Sequence, residues 1–315
     1  MTRVLITGGT GFLGSFVAQK LVPKVEKVIV GDIREPASTI SGVEFQKCDV
    51  TDRDAIKSLI IRHRIDTVVH LAAIMTPGVD VDFEYKVDVV GSRNVFGVAA
   101  EAGVKQIVVS SSGAAYGYHP DSPEWITEAT PVKGNDEYSY ARHKRLVEET
   151  LAGYRKTHPK MKQTIFRIGT ILGPTVANQI TALWDGKRIL KIAGSDSPFV
   201  FIWVDDVAEV MARAATGAPA GIYNVAGDGR LSVPDIAQRL NKNLLIIPAW
   251  MLALALRVGR ALKLTQHGPE KVRFLRYRPV LDNSKLKTEF GYTPQKTSAE
   301  AFEAYVETHP EVVSN

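Results

Sequence analysis

From residue 3 to about residue 167, short β-branched apolar runs alternate with longer stretches whose apolar positions return with helical period. A short apolar run between turn residues predicts a buried strand, and a helical-period stretch predicts a helix with one buried stripe. The predicted strands are 4–7, 27–31, 43–47, 66–71, 106–111 and 163–168, with helices at 12–21, 52–62, 83–102 and 137–157. Such alternation gives an α/β fold, a parallel sheet covered by helices on both faces and wound in both directions.

After Gly173 and Pro174 the rhythm breaks into a helix, a short strand, a helix from Asp205, a strand from Ile222 and two or three helices to the end. The chain is therefore expected to divide into a sheet domain, 1–173, and a smaller, mostly helical lobe, 174–315, with some segments returning to the sheet. The lobe should close over the carboxyl edge of the strands, where open α/β sheets bind ligands. No internal repeat or low-complexity segment interrupts this plan.

Composition narrows the class without changing the picture. At 315 residues, 45% hydrophobic and 23% charged, the chain is too regular for collagen or disorder and long enough for a sizeable core. A lone cysteine, Cys48, excludes an intrachain disulfide, and the N-terminus has no basic start followed by an apolar run, so a cytoplasmic setting is expected. Charge is uneven: the net +5 contains a local +9 over 239–296, where twelve basic residues face three acidic ones. A uniformly basic nucleic-acid surface is excluded, and the question becomes what one basic region is for.

The apolar segment 244–264 is broken by Pro248 and by Arg257, Arg260 and Lys263, so it does not cross a bilayer. It is expected to pack as a lobe helix over the pocket or between subunits. Contact with a membrane surface is the alternative that its cations leave.

The first chemistry lies at residues 7–14, TGGTGFLG, directly after a strand and directly before a helix. Gly8 allows a tight turn, Gly11 lets backbone approach a pyrophosphate, and Gly14 lets helix pack on strand. The helix that opens at Phe12 and Leu13 offers free N–H groups and a partial positive charge to phosphates. Asp32 ends the second strand, where its carboxylate can accept from ribose hydroxyls and would repel a 2′-phosphate. NAD is favoured over NADP, and Arg34 is the feature that keeps NADP open. Asp49 and Val50 could hold the adenine, although Asp49 equally suits a turn or helix cap. Leu71, Ala72 and Ala73 close the fourth strand with small side chains against which the cofactor can lie. No metal is expected.

The second chemistry is YARHK, which puts Tyr140 and Lys144 at i and i+4 on one helix face. A phenol, with a reference pKa of about 10, is a weak acid near neutrality, and a neighbouring ammonium favours its phenolate. Three serines, Ser110, Ser111 and Ser112, end the fifth strand at the same sheet edge as the glycine turn. Ser112 is the expected hydroxyl for the substrate oxygen, with Ser111 the fallback.

Together these residues resemble an extended short-chain dehydrogenase/reductase, the NAD-dependent epimerase/dehydratase group. The likeness extends through HLAA, VDVVGSRNVFGVAAEAGVKQIVVSSSGAAYG, FRIGTILGP, WVDDVAEV, GIYNVAGDG and LDNSKLKTEFGYTP. It implies a Rossmann-type fold, Tyr140 as catalytic base, Lys144 on the nicotinamide ribose, Ser112 on the substrate oxygen, and residues 166–171 beside the nicotinamide. It also implies a homodimer paired through helices 83–102 and 137–157.

Nucleotide-sugar relatives usually carry Asn after the sixth-strand Arg, where this chain has Thr170, and an Arg ahead of WVDD, where residues 197–203 contain no base. Phe199, Phe201, Trp203, Trp184, Trp250 and Met251 suggest a less polar substrate or ordinary core. Arg273, Arg276 and Arg278 suggest an anion clamp or a solvated face. The leading expectation is an NAD-dependent oxidoreductase acting on a secondary alcohol, a ketone or a sugar-like carbinol. The alternatives are a nucleotide-sugar epimerase, a dehydratase, which Gly113 and Ala114 disfavour, and a non-catalytic NAD sensor, which Ser112, Tyr140 and Lys144 argue against.

Overall fold

A computed structural model of the chain describes residues 2–74, 80–265 and 268–314. Strand β1 (Arg3–Thr7) runs into the glycine turn and then helix α1 (Phe12–Leu21), with β2 (Lys27–Asp32), β3 (Val43–Lys47), α2 (Arg53–His63) and β4 (Thr67–His70) following. Helix α2 starts where Asp52 accepts from the Asp54 and Ala55 N–H groups, a cap that answers two otherwise orphaned donors.

The helix expected over 83–102 is interrupted. It forms as α3 (Val81–Tyr85), a π-helical turn (Lys86–Gly91) and α4 (Ser92–Glu101). The wider turn carries contacts from other parts of the chain: Asp88 reaches both the Ile74 N–H at 2.8 Å and His143 Nδ1 at 2.9 Å. Gly91 lies so close to Val50 that an added Cβ would sit 2.7 Å from its methyl carbon. Such π-turns re-aim side chains that a uniform helix would point elsewhere.

Next come β5 (Gln106–Ser112), a single 3₁₀ turn (Gly113–Tyr116), α5 (Ser139–Thr157), β6 (Lys162–Ile168) and β7 (Thr170–Leu172). In the lobe, β8 (Arg188–Ile192), β9 (Phe201–Trp203), α6 (Val204–Ala215), β10 (Gly221–Val225), α7 (Val233–Arg239) and β11 (Asn243–Ile247) lead to four more helices. These are α8 (Ala249–Ala261), α9 (Lys271–Arg276), α10 (Ser284–Thr288) and α11 (Ser298–Thr308). The end of the chain thus holds five helices after β10 among the described residues, more than the two or three expected.

Seven parallel strands form the main sheet in the order β10-β6-β5-β4-β1-β2-β3, with the chain reversing direction between β1 and β4. This is a Rossmann-type doubly wound sheet with one added edge strand, and the reversal is where such sheets take a dinucleotide. Strand β10 comes from beyond residue 173 and pairs with β6 from Gly221 opposite Thr164 to Val225 opposite Ile168. One face of the sheet buries Val17, Ala18 and Leu21 of α1 with Val207, Val210 and Met211 of α6. The other face buries Ile56 of α2, Val95 and Phe96 of α4 and Leu151 of α5.

The lobe has its own core. Trp184, 1% exposed, sits within 6.2 Å, ring centre to ring centre, of Phe199, Phe201, Phe302 and Tyr305. The aromatic wall suggested for a less polar substrate is therefore not assembled: Trp184, Phe199 and Phe201 are core, Trp203 packs against them, and Trp250 and Met251 point outward. Segment 244–264 is no single helix either, since it splits into β11, Pro248 and α8. No residue of α8 is buried, and the helix it touches is α9.

Candidate active site

The glycine turn is shaped by close approach. Gly8 has φ +70°, and a Cβ there would lie 2.6 Å from the Ala72 backbone nitrogen, so the turn rests directly on the chain leaving β4. At Gly14 a Cβ would meet the Gly9 backbone at 2.5 Å, and at Gly9 it would meet a Val30 methyl at 2.8 Å. Gly9 is thus as constrained as the three glycines of the motif, a point that spacing alone does not reveal. Gly11 caps α1 without any side-chain bond, and the first turn of the helix carries no acid. Its N–H groups and positive end are left for an anion.

Asp32 spans from β2 to this turn: its carboxylate accepts from the Thr10 N–H at 3.2 Å and from the Arg34 N–H at 3.3 Å. Phe12 packs at the lobe boundary, where a Cβ on Gly173 would come within 2.7 Å of its ring, while Leu13 packs on the sheet core. Leu71 donates its N–H to Thr7, and Leu71, Ala72 and Ala73 are half-buried. Val50 is buried against Gly91. The exposed Asp49 carboxylate takes the Thr51 N–H at 2.8 Å on one oxygen, the turn role expected of it.

On the neighbouring strands, alternation separates the serines. Ser111 points to the α5 face and donates to Glu148 at 2.5 Å, and Glu148 also accepts a 2.7 Å bond from Arg167 Nη2. Burial works against the Arg167 charge, but the Glu148 carboxylate more than offsets it and holds the guanidinium above its ordinary range. Arg167 reaches on to Tyr116, and Tyr116 to Asn224, so this buried network ties β5, β6, α5 and β10 together. With Ser111 committed, Ser112 is the half-buried hydroxyl of the pair, and it accepts the Ala114 N–H at 3.2 Å. Glu148 and its role were not found in the sequence. The signal available was a carboxylate at i+4 from Lys144 with an Arg on the adjacent strand.

Lys144 donates to the Ser110 carbonyl at 2.8 Å, which anchors its ammonium at the end of β5, 5.6 Å from the Tyr140 ring centre. Ala114, just past Ser112, packs in one cluster with Ala141, Tyr138 and Tyr140. The turn after the serine and the start of α5 are thereby held together. Tyr118, Tyr138 and Tyr277 pack in this cluster, and Tyr116 lies in a neighbouring one. Burial raises Tyr118 and Tyr138 well above their ordinary values and pushes Tyr116 up to about 12. Tyr140 is half-buried, with Lys144 beside it.

Behind them His70 accepts at Nδ1 from Thr7 and donates from Nε2 to Ser92, because the Ser92 proton is already given to the Asp88 carbonyl. Burial first, and the nearby Lys144 charge second, lower His70 to about 3. It is a neutral strut, not an acid or base near neutrality.

The basic region divides. Lys271 turns inward to Tyr138 and Gln179 at 3.2 and 2.9 Å, and burial lowers its ammonium from the ordinary range. Arg278 lies 3.8 Å from the centre of the Phe199 ring, also faces Phe274, and donates to Ser197. Its charge is drawn out of water with no carboxylate partner among the described residues, and burial lowers it to about 9. Residues 197–203, which hold no base of their own, thus receive one from the far end of the lobe. Arg273 pairs outward with Glu137 at 3.3 Å, and Arg276 covers the Tyr277 ring.

A reversing parallel sheet, a glycine cradle beneath a free helix N-terminus, and a Tyr–Lys pair at the end of β5 define an NAD-dependent enzyme of the extended short-chain dehydrogenase/reductase class. The chain belongs to the NAD dependent epimerase/dehydratase family, whose sequence profile matches residues 4–226, and NAD is its cofactor. It is 26% identical over 312 residues to the uncharacterized protein Rv0501 of Mycobacterium tuberculosis, covering 96% of this chain and 82% of that one. To UDP-glucose 4-epimerase of Erwinia amylovora it is 30% identical over 190 residues, 56% of each chain. The crystal structure of Thermus thermophilus UDP-glucose 4-epimerase with NAD superposes with a TM-score of 0.77, covering 98% of this chain and 99% of that one at 23% identity.

Proposed function

We propose that the chain epimerises a nucleotide-sugar-like substrate by oxidising a carbinol carbon and then returning the hydride to the same molecule. The cofactor supplies the hydride acceptor. Tyr140 takes the hydroxyl proton and gives it back, Lys144 holds a positive charge beside that phenol, and Ser112 hydrogen-bonds the substrate oxygen as charge develops on it. The observation that carries this reading is that Tyr140, unlike the buried Tyr118 and Tyr138 of the same cluster, is half-buried and has the Lys144 ammonium 5.6 Å from its ring centre. The glycine cradle and Asp32 fit a dinucleotide, because side chains at Gly8 or Gly14 would strike backbone and the helix end is open.

Arg278 favours an anionic substrate. Its guanidinium has no carboxylate partner among the described residues and lies over residues 197–199, where a diphosphate could complete its hydrogen bonds. Of the aromatic wall that spoke for a less polar alcohol, Trp184, Phe199 and Phe201 are core and Trp250 and Met251 face outward, while Thr170 still departs from the nucleotide-sugar pattern. Gly113 and Ala114 supply neither the acid nor the base that a dehydration needs beside Ser112. Pairing of two copies through α4 and α5 belongs to the same proposal.

The test is a panel of nucleotide sugars and simple alcohols incubated with the chain and NAD. Sugar conversion without net reduced-nicotinamide absorbance is expected. Net NADH from an alcohol, with no nucleotide sugar converted, overturns the assignment.

A further inference from the structure

Helix α8 carries its apolar residues nearly all round, a pattern that belongs in a core or a lipid phase, yet none of its thirteen residues is buried. Trp250, Leu254 and Val258 follow one another at i+4 on the outward stripe, exposed by 68, 53 and 48%. Leu262 and Leu264, just past the helix, and Ile246 on β11 are exposed apolar residues as well.

Charge says what covers it. From residue 236 to residue 269 there is no Asp or Glu, while Arg257, Arg260 and Lys263 stand exposed at the C-terminal end of α8. Arg257 borders the apolar stripe and Arg260 lies one row further round. The next acid along the chain, Glu270, already pairs with Arg260 at 3.4 Å. A second copy laid on this face by two-fold symmetry would bring the same cations together with no carboxylate in the segment to answer them. The surface is one convex helix rather than a groove. Apolar side chains flanked by Arg and Lys, with a Trp at one end, suit the boundary between headgroups and acyl chains.

We propose that α8 docks the protein on an anionic membrane surface, inserting Trp250, Leu254 and Val258 among the acyl chains while Arg257 and Lys263 meet lipid phosphates. No helix among the described residues is long and apolar enough to cross a membrane, so the contact is peripheral. Helix α9 follows α8 and packs Phe274 on Tyr118 and Tyr138, which carries the docking element to the wall of the candidate active site.

The experiment is flotation of the full chain with NAD on vesicles of mixed phosphatidylglycerol and phosphatidylcholine, beside vesicles of phosphatidylcholine alone. Flotation with the anionic vesicles at low salt is expected, with a blue shift of tryptophan emission that Trp250→Phe removes. Each cation removed, in Arg257→Gln and Lys263→Gln, should weaken partitioning about fivefold. Leu254→Ser with Val258→Ser should abolish flotation while leaving NAD binding intact. Absence of the wild type from the anionic lipid fraction overturns the proposal. So does flotation that survives loss of Leu254 and Val258, or a dimer in lipid-free buffer that these two substitutions dissociate.

Discussion

Helices α6 and α8 are twelve and thirteen residues long and both have mostly apolar residues, Ala and Val in α6 and Ala and Leu in α8, yet nine residues of α6 are buried and none of α8. The difference lies in where each segment returns the chain. Helix α6 keeps Glu209 and Arg213 outward, Glu209 taking both Arg213 and Lys24 of the α1 end, while its apolar stripe meets α1 and the sheet. Helix α8 meets the short helix α9, and its Leu252 and Leu256 are no more than half-buried. Burial, not hydrophobicity, separates a core helix from a surface one, and both kinds stand within residues 174–315.

If that contrast is real, substitutions in the two regions must differ in kind. The largest effect belongs to the buried network under the sheet edge: Glu148→Gln, which strands Arg167, should cost about 3–5 kcal/mol in denaturant unfolding. Met211→Ala in α6 should cost about 2–5 kcal/mol through its cavity, whereas Leu254→Ala in α8 should stay within about 0.5 kcal/mol. Equal costs at these two positions would break the comparison.

A smaller effect, spread over pH, tests the buried His70. Its folded value near 3 lies below the reference 6.5, so both states are neutral above 6.5 and only the unfolded chain gains a proton as pH falls towards 3. Stability is therefore lost through that window, by about 2–3 kcal/mol at a pH of roughly 4.5. His70→Gln should flatten this part of the unfolding profile, whatever it does to stability at neutral pH.

The sheet half was legible because its signals are local. Alternating β-branched runs set the strands, and TGGTGFLG and YARHK carry their chemistry within a few residues. The observed strand β3 and helix α1 coincide with the expected 43–47 and 12–21. What escaped was set by contacts distant in sequence. The π-turn in 83–102 depends on Ile74 and His143, and the commitment of Ser111 depends on Glu148, 37 positions away. In the lobe nearly everything is of that kind: Arg278 finds Ser197 across 81 positions, and no periodicity predicts it. The segment 244–264 misled for the opposite reason, since its hydropathy is plain and only its surroundings are missing.

The central claim is that Tyr140, positioned with Lys144 and Ser112 at the carboxyl edge of the sheet, is the proton carrier of an NAD-dependent reaction. Turnover of Tyr140→Phe on the best substrate, measured beside its NAD affinity, tests this most directly. Loss of about a hundredfold to ten-thousandfold in kcat with unchanged NAD binding is predicted. Turnover equal to that of the parent chain, at equal NAD occupancy, would contradict it.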